Sequence, residues 1–173
     1  LRATAELLGI SVAKPNTAEA LKDALPQASY GQGQVVATPF QMARVAATVA
    51  NGGSMPEGRW VSGESNTRTG EPVRVLSGPP VDLIARSMRQ VVTAGTAARF
   101  LSDVTPAIAG KTGTAEVQDK RSHSWFIGFT PYGTPGRKLA FAVVIEHGGY
   151  GGRLAAPAAG EIVREAAAMG LVR

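Results

Sequence analysis

Residues 139–145 read LAFAVVI. Such a run, rich in β-branched and aromatic side chains, is a strand. Successive side chains of a strand point to opposite faces, and here both sets are apolar. Leu139, Phe141, Val143 and Ile145 form one, and Ala140, Ala142 and Val144 the other. A strand wetted on one face alternates apolar with polar. This one is expected inside a sheet that is covered on both faces. PAIAGKTGTAEV (106–117) and SWFIGFT (124–130) are two further strand candidates. The links QDKRSH and PYGTPGR are short and loop-like, so the three strands are expected to be antiparallel neighbours.

The rest of the chain supplies helices. Thr38 caps one: Pro39 suits its first position, Gln41 completes a capping box, and Asn51-Gly52-Gly53 stops it. Phe40, Ala43, Ala47 and Ala50 recur at helical spacing. TAEALKDAL (17–25) is a short helix ended by Pro26, and SYGQGQ (29–34) a glycine-punctuated loop. WVSGE and PVRVL form a surface hairpin around ESNTRTG. Pro79-Pro80 opens a helix to about Thr93, with Ile84, Met88, Val91 and Val92 on one face and Gly95 after it. AGTAARFLS is a loop with a helical turn, and a last helix runs from Pro157 through Met169 to Gly170. The expected class is α/β of the α+β type, an antiparallel sheet with helices packed on both faces. The helical part covers about 1–100 and the sheet with the final helix about 106–170. A length of 173 residues suits one domain.

Composition narrows the function classes. The formal charge is +5 and the pI about 10.0, but the Lys and Arg are scattered, without a basic run or interleaved aromatics, so nucleic-acid binding is not expected. Without Cys there are no disulfides or thiolate metal sites. No apolar run approaches the roughly 20 residues a membrane-spanning helix needs. The opening LRATAELLGI lacks the pattern of a secretory signal and does not begin with Met, so residue 1 is expected to be a processing or cloning boundary.

The stretch IAGKTGTAEV (108–117) bears the chemistry. Its Gly-Lys-Thr resembles the end of a phosphate-binding loop, which requires G-x-x-x-x-G-K-[ST] between a strand and a helix. The first glycine would fall at 105, which is Thr105, and TGTAEV after Lys111 is β-prone rather than helical. Both requirements fail. The alternative is Lys-Thr-Gly, one of three elements of serine acyl-transfer enzymes, the others being S-x-x-K and S-x-N.

The likeness extends well beyond three residues. GQGQVVATPFQMARVAATVANGG (31–53), MRQVVTAGTA (88–97), GKTGTAEV, HSWFIGFTP (123–131) and RLAAPAAGEIV follow one another as in the transpeptidase domain of penicillin-binding proteins. Over about 140 residues the chain resembles the C-terminal part of the class B, cell-elongation or division type. The resemblance implies a penicillin-binding/β-lactamase-like fold that is incomplete in this chain. It implies that a substrate strand or β-lactam lies along the lysine strand. Lys111 would place a positive charge where a substrate carboxylate arrives. Gly113 would admit the acyl group to the backbone, and Thr112 and Thr114 would add hydroxyls. The N–H of Thr114 would face the developing oxyanion. The catalytic candidates are therefore Lys111, Thr112 and Gly113, and the substrate-binding candidates Thr114, Ala115, Glu116 and His123.

The family's nucleophile is the Ser of S-x-x-K on a helix, its Lys one turn later. Ser11-Val12-Ala13-Lys14 matches in letters, but Pro15 biases Lys14 away from helix, and the family places its nucleophile far upstream of the Gly-Gln-Gly region. No S-x-N occurs. The nucleophile is thus expected in an upstream segment, present as a second chain or lost by cleavage, whose first strand would pair with LAFAVVIE. Its absence would leave LAFAVVIE an open apolar edge.

The implied parent is a peptidoglycan D,D-transpeptidase that cross-links stem peptides through an acyl-enzyme and binds β-lactams. It would work outside the cytoplasmic membrane on an N-terminal anchor, with neither metal nor cofactor. The alternatives are a D,D-carboxypeptidase or β-lactamase relative, a non-catalytic sensor or scaffold on the same fold, and a basic binder of anionic polymers. His123 beside Ser122 and Ser124 is read as structural or site-lining, and His147 as an incidental turn residue. Trp125, Phe126 and Phe129 are read as core. Glu116 faces solvent or pairs with Arg121, and Gln32 and Gln34 either pin backbone near the site or sit in a plain turn.

Overall fold

The computed structural model describes residues 1–58 and 70–172. Their elements run in the order α1 (Arg2–Leu7), α2 (Ala18–Ala28), α3 (Pro39–Ala50), β1 (Ser54–Met55), β2 (Val73–Arg74), α4 (Pro79–Thr93), α5 (Ala98–Leu101), β3 (Ala109–Val117), β4 (Lys120–Thr130), β5 (Leu139–Ile145) and α6 (Ala155–Ala168).

The three apolar segments form one antiparallel sheet in the order β3-β4-β5. Two helical layers enclose it. On one face Phe126 and Phe141 pack with Val92, Ala97 and Leu101 and with Ala155, Ala159 and Val163 of α6. On the other, Ala109 and Phe129 meet Val49 and Ala50 of α3 and Met88 of α4. Phe126 is fully buried, its ring 6.2 Å from that of Phe141. Burying such a side chain contributes about 1.5–3 kcal/mol. The expectation of an antiparallel sheet with helices on both faces therefore holds. Arg89 ties the layers together by donating to the carbonyl of Ile108 at 2.7 Å, where β3 begins.

Several local expectations are corrected. β5 is covered on both faces but is the terminal strand of the sheet. Among the described residues only β4 pairs with it, and of its side chains Phe141 alone is buried. The supposed loop QDKRSH shrinks to a two-residue turn, because Asp119 adopts φ +57. An aspartate tolerates that left-handed conformation, so Val117 pairs with Lys120 and the charged residues enter β4. Pro26 does not end α2, which continues to Ala28. A proline so near a C-terminus removes one hydrogen bond without stopping the last turn. The capping box at Thr38 is complete: Gln41 N–H donates to Thr38 Oγ1 at 3.2 Å and Thr38 N–H to Gln41 Oε1 at 2.7 Å. The buried face of α3 is Ala46, Val49 and Ala50, with Phe40, Ala43 and Ala47 only half-buried. In α4 the buried residues are Val81, Met88 and Val92, and Ile84 is 37% exposed. The last helix starts at Ala155, two residues earlier than expected. PVRVL supplies β2, whose partner is β1. The expected WVSGE strand and most of ESNTRTG lie outside the described residues.

The N-terminal region is a satellite of this core. Ala5, Val12 and Ala28 pack together against Ile10, Leu21 and Val35. Side chains stitch it to the loop and to α3: the N–H of Lys14 donates to Gln34 Oε1 at 2.6 Å, and Gln41 Nε2 donates to the carbonyl of Gly9.

Candidate active site

β3 forms one edge of the sheet, with β4 along its inner side. Peptide groups of a strand face alternate sides, and Gln32 identifies which of them face out. Its Nε2 donates to the carbonyl of Thr114 at 2.8 Å, and its Oε1 accepts from the N–H of Glu116 at 3.2 Å. The backbone groups of Thr112, Thr114 and Glu116 therefore face away from β4. The carbonyl of Thr112 accepts from Lys111 Nζ at 2.7 Å. Between these occupied carbonyls the N–H of Thr114 points outward without an acceptor among the described residues.

The side chains divide between the two faces of the strand. Lys111, Gly113 and Ala115 share one. Lys111 is exposed. The ion pairs among the described residues are Arg2–Glu6 and Arg164–Glu161, so no carboxylate there neutralises Lys111. Gly113 does not adopt a left-handed φ, and a β-carbon on it would meet only Trp125 Cβ, at 3.2 Å. Its missing side chain thus leaves open space over the backbone beside Lys111. Thr112 and Thr114 point to the other face. Thr112 Oγ1 lies 2.6 Å from Thr96 Oγ1, and Thr114 Oγ1 accepts from the N–H of Gly151 at 3.3 Å. Both hydroxyls thus brace the strand from behind.

The other predicted residues sit towards the hairpin. Ala115 is opposite His123 in the register, and Glu116 lies where that register shifts. Glu116 is exposed, and its solvent-facing reading holds over a pairing with Arg121. His123 and His147 form a clasp, with ring centroids 4.9 Å apart. The N–H of His147 donates to His123 Nδ1 at 3.0 Å, so that nitrogen carries no proton. His147 Nδ1 lies 3.0 Å from the carbonyl of Arg121, which can only accept, so that nitrogen is the protonated one. His147 is therefore a fixed partner rather than an incidental turn residue. Phe126 and Phe129 are core, whereas Trp125 is half-buried.

Ser11 is not on a helix. It bridges Val36, and its hydroxyl donates to the carbonyl of Ala13 at 3.0 Å. Ser11 and Lys14 therefore lack the shared helical face that a nucleophile and its base require. Among the described residues no Ser or Thr hydroxyl is hydrogen-bonded to a Lys, and no three His, Asp or Glu residues cluster as metal ligands. An open cleft of about 260 Å³ lies between α3, α4 and the end of β4, lined among others by Ala50, Asp82, Phe129, Tyr132 and Lys138. None of the predicted site residues lines it.

Residue periodicity did not reveal three supports of β3: Thr96, Gly151 and Ser124. The buried Ser124 hydroxyl donates to the carbonyl of Tyr150 at 3.0 Å and accepts from the N–H of Ala155 at 3.1 Å. It holds the loop that presses Gly151 onto the strand. A polar residue between apolar neighbours in SWFIGF was the available signal.

An edge strand with an exposed cation, outward backbone N–H groups that include that of Thr114, and a side-chain-free position can align an extended peptide, attract its carboxylate and stabilise an oxyanion. The family model described as "Penicillin binding protein transpeptidase domain" matches residues 8–164. The chain is 37% identical over 155 residues to peptidoglycan D,D-transpeptidase PbpA of Mycolicibacterium smegmatis, covering 78% of this chain and 30% of that protein. It is 28% identical over 158 residues to peptidoglycan D,D-transpeptidase MrdA of Haemophilus influenzae, covering 77% of this chain and 24% of that one. The imipenem acyl-enzyme structure of penicillin-binding protein A from M. tuberculosis superposes with a TM-score of 0.73 at 30% identity, covering 96% of this chain and 41% of that one. The chain thus spans less than a third of the length of these two curated relatives.

Proposed function

Because the chain belongs to the penicillin-binding protein transpeptidase family, we propose that it is the C-terminal portion of a single transpeptidase domain whose parent cross-links peptidoglycan. The relatives named above are peptidoglycan D,D-transpeptidases, and one structural neighbour is a β-lactam acyl-enzyme. In this reading a Ser outside residues 1–173 attacks the amide between the last two D-Ala residues of a stem peptide. The new C–O bond forms, the C–N bond breaks, and the Ser proton passes through its Lys base to the departing D-Ala amine. An amine of a second stem then attacks the ester carbonyl and releases the Ser. β-Lactams acylate the same Ser.

This chain's share is electrostatic and positional. Lys111 attracts the substrate carboxylate, the Thr114 N–H stabilises the oxyanion, and Gly113 leaves room for the acyl group. Losing one such donor typically raises a barrier by about 3–4 kcal/mol. The open outer edge of β5 suits the first strand of the same domain, supplied by the upstream segment. The parent would act on the extracytoplasmic side of the membrane through an N-terminal anchor. Among the described residues no helix is long and apolar enough to cross a membrane.

The observation that carries this reading is the outward Thr114 N–H on the edge strand beside Lys111, whose ammonium makes no ion pair among the described residues. Incubating the parent with a D-Ala-D-Ala stem peptide and a second stem as acceptor tests it. Release of D-Ala with formation of the cross-linked dimer is the expected result. Hydrolysis alone would make the parent a carboxypeptidase, and no release would leave a sensor or scaffold.

A further inference from the structure

Gln32 contacts the lysine strand in the manner of a neighbouring strand. A β-partner offers a strand one N–H and one C=O, and the amide of Gln32 offers both. It donates to Thr114 O at 2.8 Å and accepts from Glu116 N–H at 3.2 Å. The two bonds span 82 and 84 residues, so they join the helical region to the sheet directly at the candidate site.

The side chain is held for this contact. The N–H of Gln32 donates to the carbonyl of Gln27 at 3.0 Å, and its own carbonyl accepts from Val35 at 3.4 Å. Its neighbours Gly31 and Gly33 take φ +84 and +69, and a β-carbon on Gly33 would lie 2.8 Å from Gln27 Cβ. A turn of this shape needs glycine on both sides of residue 32. Gln32 itself is half-buried.

The contact fixes the two peptide planes that follow the Thr114 N–H and occupies the outward Glu116 N–H. An incoming strand can therefore use the edge as far as Thr114 and no farther. We propose that Gln32 is a positioning residue for acyl transfer, a strand surrogate that holds Thr114 so that its N–H faces the reacting carbonyl. This rests on the transpeptidase reading above. Gln32 acts through Thr114 and needs no contact with substrate.

The test uses the parent protein and penicillin, measuring the saturating acylation rate and the half-saturating concentration for wild type, Gln32→Ala and Gln32→Glu. Gln32→Ala is expected to slow the saturating rate about tenfold, because displaced catalytic groups lower rate more than binding, with half-saturation changed less than threefold. Gln32→Glu keeps the shape. At neutral pH its carboxylate only accepts, so it meets Glu116 N–H but faces the Thr114 carbonyl without a donor, and the rate should fall as for Ala. Below the ordinary glutamate pKa of about 4.3 the protonated acid donates again, so the rate relative to wild type at the same pH should recover. Melting curves identify any variant that fails to fold. If Gln32→Ala does so, the isosteric Gln32→Glu carries the test. Wild-type rates in both variants, or a slowed Gln32→Glu whose ratio stays flat with pH, would overturn the inference. A wild-type parent that penicillin does not acylate would instead overturn the function it rests on.

Discussion

Substituting Gly151 by Ala should damage stability and acylation together. A β-carbon at Gly151 would lie 2.1 Å from the carbonyl oxygen of Gly113 and 2.7 Å from that of Trp125. Both obstacles are backbone atoms in the middle of a paired ladder, so no side chain can swing aside. The loop or the strand must retreat by about 1 Å before the contact is tolerable. Overpacking of this kind costs about 1–3 kcal/mol. The retreat also breaks the bond from Gly151 N–H to Thr114 Oγ1, adding about 1 kcal/mol. A loss of about 2–4 kcal/mol should lower the melting temperature by about 5–15 °C. The displaced residues are Gly113 and Thr114, so the same shift misplaces the candidate oxyanion donor. A 1 Å misplacement can cost about 100-fold in rate, and a 10- to 100-fold slower acylation by penicillin is expected in the folded variant. Calorimetry and stopped-flow acylation of the parent measure both. A variant that melts with wild type and acylates at the wild-type rate would refute the close packing of this loop on β3.

Gly31→Ala offers a contrast: φ is +84 but no atom lies near the added carbon, so denaturant melts should report only the left-handed penalty of about 1–2 kcal/mol. Thr38→Ala removes one half of a complete capping box and should cost about 0.5–2 kcal/mol by chemical denaturation. Phe126→Ala empties the core between β4 and α6, with an expected loss of about 3–5 kcal/mol. Lys111→Ala should leave the melting temperature within about 1 °C, since the side chain is exposed and makes no ion pair among the described residues. It should slow β-lactam acylation by about two orders of magnitude, in line with the loss of one electrostatic contact to a transition state.

Much of the fold was legible in the residues because it rests on local pattern. Alternating and doubly apolar runs marked β3, β4 and β5, and Thr38-Pro39 with Gln41 marked the start of α3. The limits were equally physical. LAFAVVI announced burial on both faces, but side-chain pattern carries no information about in-plane neighbours, so its open edge at the end of the sheet was expected from the family resemblance alone. The two-residue turn at Gln118-Asp119 depends on a backbone conformation of Asp119, not on hydropathy, and the charged Lys120 and Arg121 disguised strand as loop. Met88 and Val92 of α4 and Ala50 of α3 are buried as expected, whereas Ile84 is exposed and Ala46 and Val49 are buried in place of Ala43 and Ala47. Such departures reflect the direction of the helices' partners, which periodicity cannot supply. In the site, Lys111 and Gly113 stood out through the Lys-Thr-Gly motif and the family resemblance around it. The bonds from Gln32 to Thr114 and Glu116, and from Gly151 to Thr114, join residues far apart in the chain and leave no periodic trace. The glycines around Gln32 hinted at a rigid turn without indicating its target.

In the proposed function, this chain supplies the lysine strand of an acyl-transfer site whose nucleophile lies elsewhere in the parent. Intact mass and peptide mapping after penicillin treatment, run on the parent and on residues 1–173 with circular dichroism to establish folding, test it most directly. A single penicilloyl adduct on the parent, mapped to a Ser outside these residues and strongly slowed by Lys111→Ala, is predicted. An adduct on Ser11 of the folded chain alone, or one formed on the parent at full rate without Lys111, would contradict it.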